Sequence, residues 1–431
     1  MRRVRYGGAA WKAWLRGLPR AARPDPAIER AVAAILRQVA RGGDRALVHL
    51  TARFDGLSLS PRALRVPVRE IRALARGADP ALVRALRAMA ERIEDFHRRQ
   101  RTTGFRVRLP GGSWLEESVA PLDSAGLYVP GGAGAYPSSV LMSAIPARVA
   151  GVARLQVVTP PRTLEENPAV AAAVVLAGLE GSVFRVGGAQ AVGALAYGTE
   201  TVPAVAKIVG PGNAYVAAAK RQVRGRVEID QEAGPSEVVV LADESADPGW
   251  VAADLLAQAE HGSGRETVVL VTPSAELADE AARLVAGGVT SIANRPQAVR
   301  ALRRNAAVVR VRDLEEGVAA VNALAPEHVE VLTRGAAAVA RRVVAGAVFV
   351  GPFAPVAVGD YGIGPNHVLP TGGAARYSSA LSVREFQRRQ CAVRLTRAGL
   401  AAVTEGMVRV AMAEGFPGHA RSLLTRFEGG R

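Results

Sequence analysis

Residues 126–130 read GLYVP, residues 155–160 LQVVTP, residues 183–188 VFRVGG and residues 206–212 AKIVGPG. Each segment is a short apolar run that ends in glycine or proline, and each precedes an alanine-rich stretch with helical character. A regular alternation of buried strand and helix is typical of a parallel sheet that helices cover on both faces. These four segments therefore predict an α/β unit.

The same alternation starts again after Arg226. Five further apolar runs follow: EVVVLAD (237–243), TVVLVTP (267–273), AVVRVRD (307–313), VEVLT (329–333) and AVFVGPF (347–353). The chain is thus predicted to be an α/β protein with two related, Rossmann-like parallel-sheet units. We expect residues 25–127 and 237–381 to form the first α/β domain, and residues 128–236 the second.

Helices are predicted at both ends of the chain. Residues 1–24 are expected to form an N-terminal arm, and a helical lead-in begins at Asp25-Pro26 and again at Asp79-Pro80, where an acidic N-cap precedes a proline. Residues 105–129 predict a hairpin that enters a sheet, because short alternating segments replace the helical pattern. From residue 382 to residue 431 the strands are expected to stop and a small helical tail to close the molecule.

Composition excludes several classes of function. The 431 residues include one cysteine, Cys391, so a disulfide framework or a thiolate metal cluster within one chain is not available; we interpret Cys391 as a packing residue. The formal net charge is +16, but the arginines are spread over nearly every predicted helix, which argues against a dedicated nucleic-acid surface. No apolar run reaches the roughly 20 residues that span a bilayer, and no secretory signal is evident, so a cytoplasmic location is expected.

Three of the predicted strand-to-helix turns are rich in glycine: PGGAGAYPSS (130–139), GGAQAVG (187–193) and GPGNAY (210–215). Backbone amides at helix N-termini favour anions, and glycine lets a pyrophosphate approach closely. Because parallel strands end on the same side of a sheet, the three turns are expected to converge in one crevice. Tight turns also require glycine for steric reasons alone, and the G-x-G-x-x-G fingerprint is absent, so both interpretations stay open.

The segment ADPGWVAADLLAQAEHG (246–262) predicts a helix that Asp247 caps and Gly262 ends. Gln258 and His261 are three residues apart, so both side chains would project from one face of its last turn. An imidazole and an amide oxygen could bind a metal there. The alternative is a histidine that satisfies the last carbonyls of the helix.

Glu327 and His328 are adjacent in APEHVE (325–330), where a predicted helix gives way to the strand that begins near Val329. An imidazole with a pKa near 6.5 can accept an alcohol proton, and a neighbouring carboxylate can orient it or activate water. The pair is therefore a candidate for general-base catalysis. An exposed Glu-His pair at an element boundary is the alternative.

Asp360 and His367 lie in GDYGIGPNHVLPTGG (359–373), a long loop whose glycines and prolines argue against regular structure. Such loops with an embedded acid and histidine are more often functional than not. Near the C-terminus, Glu414 and His419 bracket the predicted turn EGFPGH, which can direct a carboxylate and an imidazole into one space.

The other two histidines, His49 and His97, fall within amphipathic helices and are expected to be structural. A mixed set of imidazole, carboxylate and amide ligands suits zinc. The absence of thiolates favours a catalytic zinc site over a structural one.

Eight segments, read in order, resemble the histidinol dehydrogenase family: YVPGGAGAYPSSVLM, VGGAQAVGALAYGT, KIVGPGNAYV, AGPSEVVVLAD, DLLAQAEHG, APEHVE, GDYGIGPNHVLPT and AEGFPGH. They cover most of the chain. The resemblance implies a homodimeric, zinc-dependent enzyme that oxidises L-histidinol through L-histidinal to L-histidine and reduces two NAD molecules, in the last step of histidine biosynthesis.

The resemblance also implies roles for single residues. Four match the family's zinc ligands, the last of them contributed by the partner subunit: Gln258, His261, Asp360 and His419. These four and His328 would contact histidinol, together with three further matching residues: Ser236, His367 and Glu414. Three match positions that contact NAD, which makes residues 128–236 the NAD-binding domain: Tyr128, Gln190 and Asn213.

In the implied reaction, His328 removes the alcohol proton and serves again as base in the second oxidation, while Glu327 activates water to hydrate the aldehyde. The chain departs from the family at Gln231 and Glu232, where apolar residues are more usual. One rival is a related dehydrogenase for another small alcohol, such as a sulfonated diol, although Glu414 should attract a cationic amine and repel a sulfonate. A second rival is a basic nucleic-acid-binding protein on an inert dehydrogenase scaffold.

Overall fold

The structure is a computed structural model that describes residues 1–19, 25–131, 136–232 and 234–428. The chain divides into two compact units. The larger unit comprises Met1–Gln100 and Leu122–Phe386, and the smaller comprises Arg101–Pro121 and Gln387–Arg431.

The elements up to residue 223 are, in chain order, β1 (Arg2–Arg5), α1 (Ala9–Gly17), α2 (Pro26–Asp55), α3 (Val68–Ala75), α4 (Pro80–Arg98), β2 (Phe105–Arg108), β3 (Trp114–Pro121), β4 (Ser124–Tyr128), α5 (Pro137–Ala150), β5 (Arg154–Thr159), α6 (Thr163–Glu166), α7 (Pro168–Leu176), β6 (Val183–Arg185), α8 (Gly188–Tyr197), β7 (Lys207–Val209) and α9 (Ala214–Val223).

The elements that follow are β8 (Glu228–Ile229), β9 (Glu237–Ala242), α10 (Pro248–Ala259), β10 (Thr267–Thr272), α11 (Ala275–Gly288), α12 (Arg295–Arg304), β11 (Ala307–Arg310), α13 (Leu314–Leu324), β12 (His328–Leu332), α14 (Ala336–Ala340), β13 (Ala347–Val350), α15 (Ala357–Asp360), β14 (Gln387–Arg394), α16 (Arg397–Ala413) and α17 (Pro417–Leu424).

Two parallel sheets form the larger unit, which confirms the predicted fold class. The five-stranded sheet has the order β6-β5-β4-β7-β8, and the six-stranded sheet has the order β1-β11-β10-β9-β12-β13. Without β1 the two orders are the same, third-second-first-fourth-fifth, which is the Rossmann-like arrangement. Each sheet reverses its winding between its first and fourth strands, at β4 and β7 in one sheet and at β9 and β12 in the other.

The boundaries of the two α/β parts differ from the expected ones. Strand β4 begins at Ser124 and pairs with β5 and β7, so the five-stranded sheet starts before residue 128. The lead-in helices α2, α3 and α4 pack on α5, α7, α8 and α9, which are helices of that same sheet. For α2 the reason is its apolar face, which includes Val32 and Val39 and joins the core around Leu195.

The N-terminal arm contains a strand. Arg2–Arg5 pairs in parallel with β11 and extends the six-stranded sheet at its edge. Val4 is buried there, and α1 buries Trp11 and Trp14 in the same core as Val309. Apolar side chains at these positions explain why the arm packs on the sheet.

The predicted helix starts are confirmed. The side chain of Asp25 accepts a hydrogen bond from the N–H of Ala27 at 2.8 Å, and Asp79 caps α4 through Ala81 at 2.9 Å. Each cap satisfies a backbone N–H that has no partner within the helix. Within the described ranges, no helix combines the length and the apolarity that crossing a membrane requires.

The smaller unit corrects the prediction for the end of the chain. Strands β2 and β3 form the expected antiparallel hairpin, but β14 pairs with β3 as a third strand, so strands do not stop at residue 382. Most side chains of β14 are exposed, and the alternation that reveals a half-buried strand is therefore missing from its sequence. Cys391 lies on β14 opposite Glu117 and is exposed, so it is not a packing residue. Helices α16 and α17 pack on each other.

A buried ion pair holds the turn after β7. Lys220 on α9 contacts Asp230, and both side chains are almost fully buried. Lys220 Nζ also donates to the carbonyl oxygen of Gly210 at 3.0 Å, and Asp230 Oδ2 accepts from the N–H of Gly210 at 2.8 Å. Gly210 has φ +114°, and a Cβ there would overlap the carbonyl oxygen of Tyr128. Only glycine fits, and the ion pair fixes both of its peptide groups.

Replacing Lys220 with methionine should lower the free energy of unfolding by about 3–5 kcal/mol, because Asp230 would stay buried without its counter-charge. Urea unfolding followed by circular dichroism measures the loss. The control is Arg283→Met, which breaks an exposed ion pair with Glu280 and should change stability little. Equal losses in the two variants would contradict the role of the buried pair.

Candidate active site and dinucleotide crevice

The amino ends of β9 and β12 hold two buried carboxyl groups in reciprocal contact. Glu237 begins β9, and Glu327 immediately precedes β12. Glu327 Oε2 accepts a hydrogen bond from the N–H of Glu237 at 2.9 Å, and Glu237 Oε2 accepts one from the N–H of Glu327 at 3.3 Å. Each residue thus fixes the other across the central strand pair, and the Glu327 carboxyl group is held in one orientation.

Burial raises the pKa of Glu327 to about 8. The hydrogen bond from Glu237, the charge of His261 and a hydrogen bond with Ser236 oppose this shift, while the charge of Asp360 adds to it. A carboxyl group that exchanges its proton near neutral pH is suited to general-base catalysis. The same interactions show that these residues, taken from distant stretches of the chain, surround one carboxyl group.

His328 is buried beside Glu327, and its orientation is set by the backbone. Its Nδ1 lies 3.0 Å from the carbonyl oxygen of Glu237, which can only accept, so Nδ1 carries the proton and Nε2 keeps its lone pair. The Nδ1 atom is 3.5 Å from Glu327 Oε2, too far for a good hydrogen bond. Burial lowers the pKa of His328, although the charge of Asp360 and the bond to Glu237 raise it. The imidazole is therefore a neutral base with an accepting nitrogen.

The loop of residues 359–373 brings Asp360 and His367 to the same place. The sequence predicted a loop without regular structure, but Asp360 is the last residue of the short helix α15, so the start of this segment is helical. His367 Nδ1 lies 3.2 Å from the carbonyl oxygen of Asp360. Burial lowers the pKa of His367; Asp360 raises it, and the charges of His328 and His261 lower it further. The far end of the loop is anchored where the N–H of Gly372 donates to Glu237 Oε2 at 3.0 Å.

His328 and His367 line one small cavity of about 170 Å³, with Phe349 and Leu369 among its apolar walls. Two imidazoles that face one enclosed space can bind a small polar group there.

Gln258 lies on the last turn of α10 and is 2% exposed. Within the described ranges, neither its side-chain oxygen nor its side-chain nitrogen has a hydrogen-bond partner, which is costly for a buried amide. The helix ends at Ala259, so His261 lies in the turn that follows and not in the last turn as predicted, and it is exposed. An unpartnered amide oxygen on the helix turn that precedes an accessible imidazole fits a site that binds a ligand such as a cation.

The donor types fit a divalent cation, since an amide oxygen, an imidazole and a carboxylate are acceptable zinc ligands. In the ranges that the structure describes, no three His, Cys, Asp or Glu side chains come together as a metal-binding group. Of the predicted ligands in the larger unit, only His261 and Asp360 belong to these residue types. Glu414 and His419 lie in the smaller unit, where Glu414 caps the C-terminus of α16 and His419 stacks on Phe416 in the first turn of α17. Both are exposed, and His419 is helical where a turn was predicted.

A second cavity, of about 460 Å³, lies at the carboxyl ends of the strands of the five-stranded sheet. Tyr128, Gln190 and Asn213 all line it. The hydroxyl oxygen of Tyr128 accepts a hydrogen bond from the N–H of Gly188 at 3.0 Å, and burial raises the pKa of Tyr128 to about 12. Asn213 caps α9 by accepting from the N–H of Tyr215 at 3.0 Å. The cavity has the size and the place in the fold of a dinucleotide crevice.

The glycine-rich turns meet at this crevice. Gly188 from the second turn and Asn213 from the third line it, and so do Pro130 and Gly131 from the first. Residues 132–135 of the first turn lie outside the described residues.

A pair of carboxyl groups lies on α10 and β12, the helix and strand that also carry Gln258 and His328. Asp254 is four residues before Gln258 on α10, Glu330 is two residues after His328 on β12, and their side chains are hydrogen-bonded. Burial and the adjacent Asp254 raise the pKa of Glu330 to about 9. Burial also raises the pKa of Asp254, while the bond from Glu330 lowers it. Glu330 is therefore protonated at neutral pH and donates a hydrogen bond to the Asp254 carboxylate.

Sequence reasoning missed Glu237 and this carboxyl pair. The available signal was weak: an acidic residue stands at the start of one apolar strand, EVVVLAD, and another interrupts the apolar run VEVLT. Either pattern also fits an ordinary strand end, and the partners lie far away in the chain.

A crevice of dinucleotide size at a Rossmann-like switch point, together with a buried imidazole and carboxyl group, is typical of α/β dehydrogenases. The comparisons with known proteins narrow this class. Residues 18–427 match the sequence profile of the histidinol dehydrogenase family. The chain belongs to this family and is a dehydrogenase.

The relatives cover nearly the whole chain. A histidinol dehydrogenase of Gluconobacter oxydans is 48% identical over 94% of this chain and 94% of the relative. A histidinol dehydrogenase of Halalkalibacterium halodurans is 45% identical over 93% of this chain and 94% of the relative. The crystal structure of histidinol dehydrogenase from Elizabethkingia anophelis superposes with a TM-score of 0.92 at 32% identity, covering 99% of this chain and 97% of that one.

The pKa of Glu330 predicts a pH-dependent stability. Its pKa in the fold, about 9, lies above the ordinary value of 4.5, so its contribution is fully present below 4.5 and is lost as the pH rises through 9. Glu330→Gln, a neutral mimic of the protonated acid, should resist this loss. As the pH rises from about 5 to about 9, the unmutated protein should lose stability that the variant keeps. The melting temperature of Glu330→Gln, relative to that of the unmutated protein, should therefore increase by several degrees over this range.

Differential scanning calorimetry across this pH range measures the effect. The control is Glu91→Gln, at an exposed position on α4, which should follow the unmutated protein at every pH. If Glu330→Gln also runs parallel to the unmutated protein, then Glu330 is not protonated in the fold.

Proposed function

We propose that this protein is an L-histidinol dehydrogenase that oxidises L-histidinol through L-histidinal to L-histidine with two NAD molecules, as a zinc-dependent homodimer of the cytoplasm in the last step of histidine biosynthesis. The observation that carries the proposal is the buried neutral imidazole of His328, whose accepting nitrogen lies in the same cluster as Glu327, Asp360 and His367. The family membership of the chain supports this substrate.

NAD would be held in the crevice by Tyr128, Gln190 and Asn213, and bound NAD supplies the hydride acceptor. Around it, the backbone N–H groups at the starts of α8 and α9 favour a pyrophosphate. The hydroxyl group of Tyr128 stays protonated at any working pH, because its pKa is raised to about 12.

Zinc would be held by Gln258, His261, Asp360 and, in the homodimer, His419 of the partner subunit. When bound, it supplies orientation, by fixing the imidazole and amine of the substrate. The unpartnered amide of Gln258 supports this assignment, since a ligand bond would satisfy its buried oxygen. Ser236, His367 and Glu414 would contact histidinol, and the carboxylate of Glu414 would attract the protonated amine of the arriving substrate before that amine loses its proton.

In the first oxidation, His328 accepts the alcohol proton at Nε2. Its Nδ1–H stays bound to the carbonyl oxygen of Glu237, which stabilises the imidazolium that forms. His328 then releases this proton to solvent. In the second oxidation the ionised form of Glu327 takes a proton from the water that adds to the aldehyde, and His328, neutral again, accepts the proton of the hydrate as its hydride leaves. The two proposed bases are adjacent, but the Nδ1–H of His328 is directed to the carbonyl oxygen of Glu237 and not to Glu327, so each can act on a different oxygen.

One assay tests substrate, cofactor and metal together. We expect NADH absorbance to rise with L-histidinol by two equivalents per substrate, and chelation followed by dialysis to abolish the signal until zinc returns. His261→Ala should lose bound metal and activity while its circular dichroism spectrum stays that of the unmutated protein. His49→Ala, at an exposed position on α2, is the control and should keep both metal and activity. Turnover of a sulfonated diol without turnover of histidinol would contradict the proposal.

Glu327→Gln should separate the two oxidations. Glutamine keeps the hydrogen bond from Glu237 but cannot take a proton from water, so histidinal oxidation should slow by about 10²–10⁴-fold, the usual contribution of a general base. The alcohol step should persist, and one NADH per histidinol should appear while the aldehyde is trapped with a hydrazine. His328→Gln should impair both steps. Two rapid equivalents of NADH from Glu327→Gln would remove the water-activating role.

A further inference from the structure

Asp55 is an acidic residue in an unfavourable position at the edge of the crevice. It is the last residue of α2, where the helix dipole disfavours a negative charge. Its Oδ2 atom is buried and has no hydrogen-bond partner among the residues that the structure describes. Burial raises its pKa, and the opposing positive charge of Arg162 comes from an exposed side chain. The carboxylate therefore costs stability in the free protein.

The crevice explains why such a residue could be retained. Asp55 lines it together with Tyr128, whose pKa its charge helps to raise. Besides the polar Gln190 and Asn213, the lining is largely apolar or aromatic and includes Ile35, Phe54, Pro130, Pro160 and Tyr215. Such walls suit a flat base, and Phe54 and Tyr215 are about half exposed and available to stack on one.

The lining also indicates which half of a dinucleotide this cavity holds. Neither Glu327 nor His328 nor any predicted substrate contact is among its described lining residues. The nicotinamide must reach the reacting carbon beside those bases, so the cavity takes the adenosine half. A carboxylate can accept from the adenine amino group or from the ribose hydroxyls of adenosine. Only the adjacent 2′- and 3′-hydroxyls offer one donor to each carboxylate oxygen, which favours the ribose as the partner of Asp55.

We propose that Asp55 accepts hydrogen bonds from the adenosine ribose hydroxyls of NAD and excludes the 2′-phosphate of NADP, and so sets the cofactor preference of this enzyme. The inference rests on the proposed function. An acid in this role, with an arginine accommodating a 2′-phosphate in NADP enzymes, is the usual physical solution in dinucleotide sites. In this chain the positive charge of Arg162 acts on Asp55, so removal of the carboxylate leaves that charge without its counter-charge.

Asp55→Asn in the full-length, zinc-loaded enzyme tests the proposal by direct binding. Titration calorimetry without substrate should show NAD binding weakened about tenfold, the usual loss for a hydrogen bond to a charged group. NADP binding should tighten by a similar factor, because the repulsion is removed and Arg162 loses its counter-charge. In Asp55→Asn/Arg162→Gln the gain for NADP should disappear. Without cofactor, Asp55→Asn should melt at a higher temperature than the unmutated protein.

Asp95→Asn is the matched control, since Asp95 lies in the last turn of α4, is exposed and does not line the crevice. It removes an acid from a helix C-terminus without touching the cofactor, so its ratio of NAD to NADP affinity should stay unchanged. Asp55→Ser serves as a second variant with the same expected loss of preference. If the unmutated enzyme binds NAD while both Asp55 variants keep its preference, this inference falls and the proposed function stands. If the unmutated enzyme binds no dinucleotide, both fall.

Discussion

The reciprocal hydrogen bonds between Glu237 and Glu327 are the constraint on which the site depends. Each carboxyl group accepts the backbone N–H of the other residue, across the two central strands of the six-stranded sheet. The carbonyl oxygen of Glu237 also sets the tautomer of His328, and its carboxyl group anchors the loop that carries Asp360 at Gly372. One residue that does no chemistry thus orients both bases and ties down a third segment.

The two parallel sheets place their candidate sites at opposite ends of their strands. In the five-stranded sheet the crevice lies at the carboxyl ends of β4 and β7, the usual place for a ligand in a parallel sheet. In the six-stranded sheet the bases lie at the amino ends of β9 and β12. The backbone offers N–H groups at strand starts, and these donors can hold a carboxyl group such as Glu327. Under the proposed function, the same strand order would serve a dinucleotide in one half and proton transfer in the other.

Several polar groups are buried at a cost to stability, and their positions separate structure from function. The Lys220–Asp230 pair is satisfied from both sides and shapes a turn, so its role is structural. Gln258 and the Oδ2 atom of Asp55 are buried without partners in the described chain. Native proteins rarely keep such atoms unless a ligand completes them. Other buried side-chain atoms of the described residues also lack partners, but these two groups lie where the family resemblance implies zinc and NAD.

Local patterns in the sequence determined the strands of both sheets except β1 and β8, the capped starts of α2, α4 and α10, and the family, because periodicity, caps and motif order depend on residues close together in the chain. The residues Tyr128, Gln190, Asn213, Glu327 and His328 were also named from the sequence. Only the tertiary structure decided that Glu237 contacts Glu327, ninety residues away, that β14 joins a sheet, and that α2 packs beside the crevice so that Asp55 reaches it. These contacts join segments whose own sequences carry no record of their partners, since burial and charge balance arise only when the chain has folded.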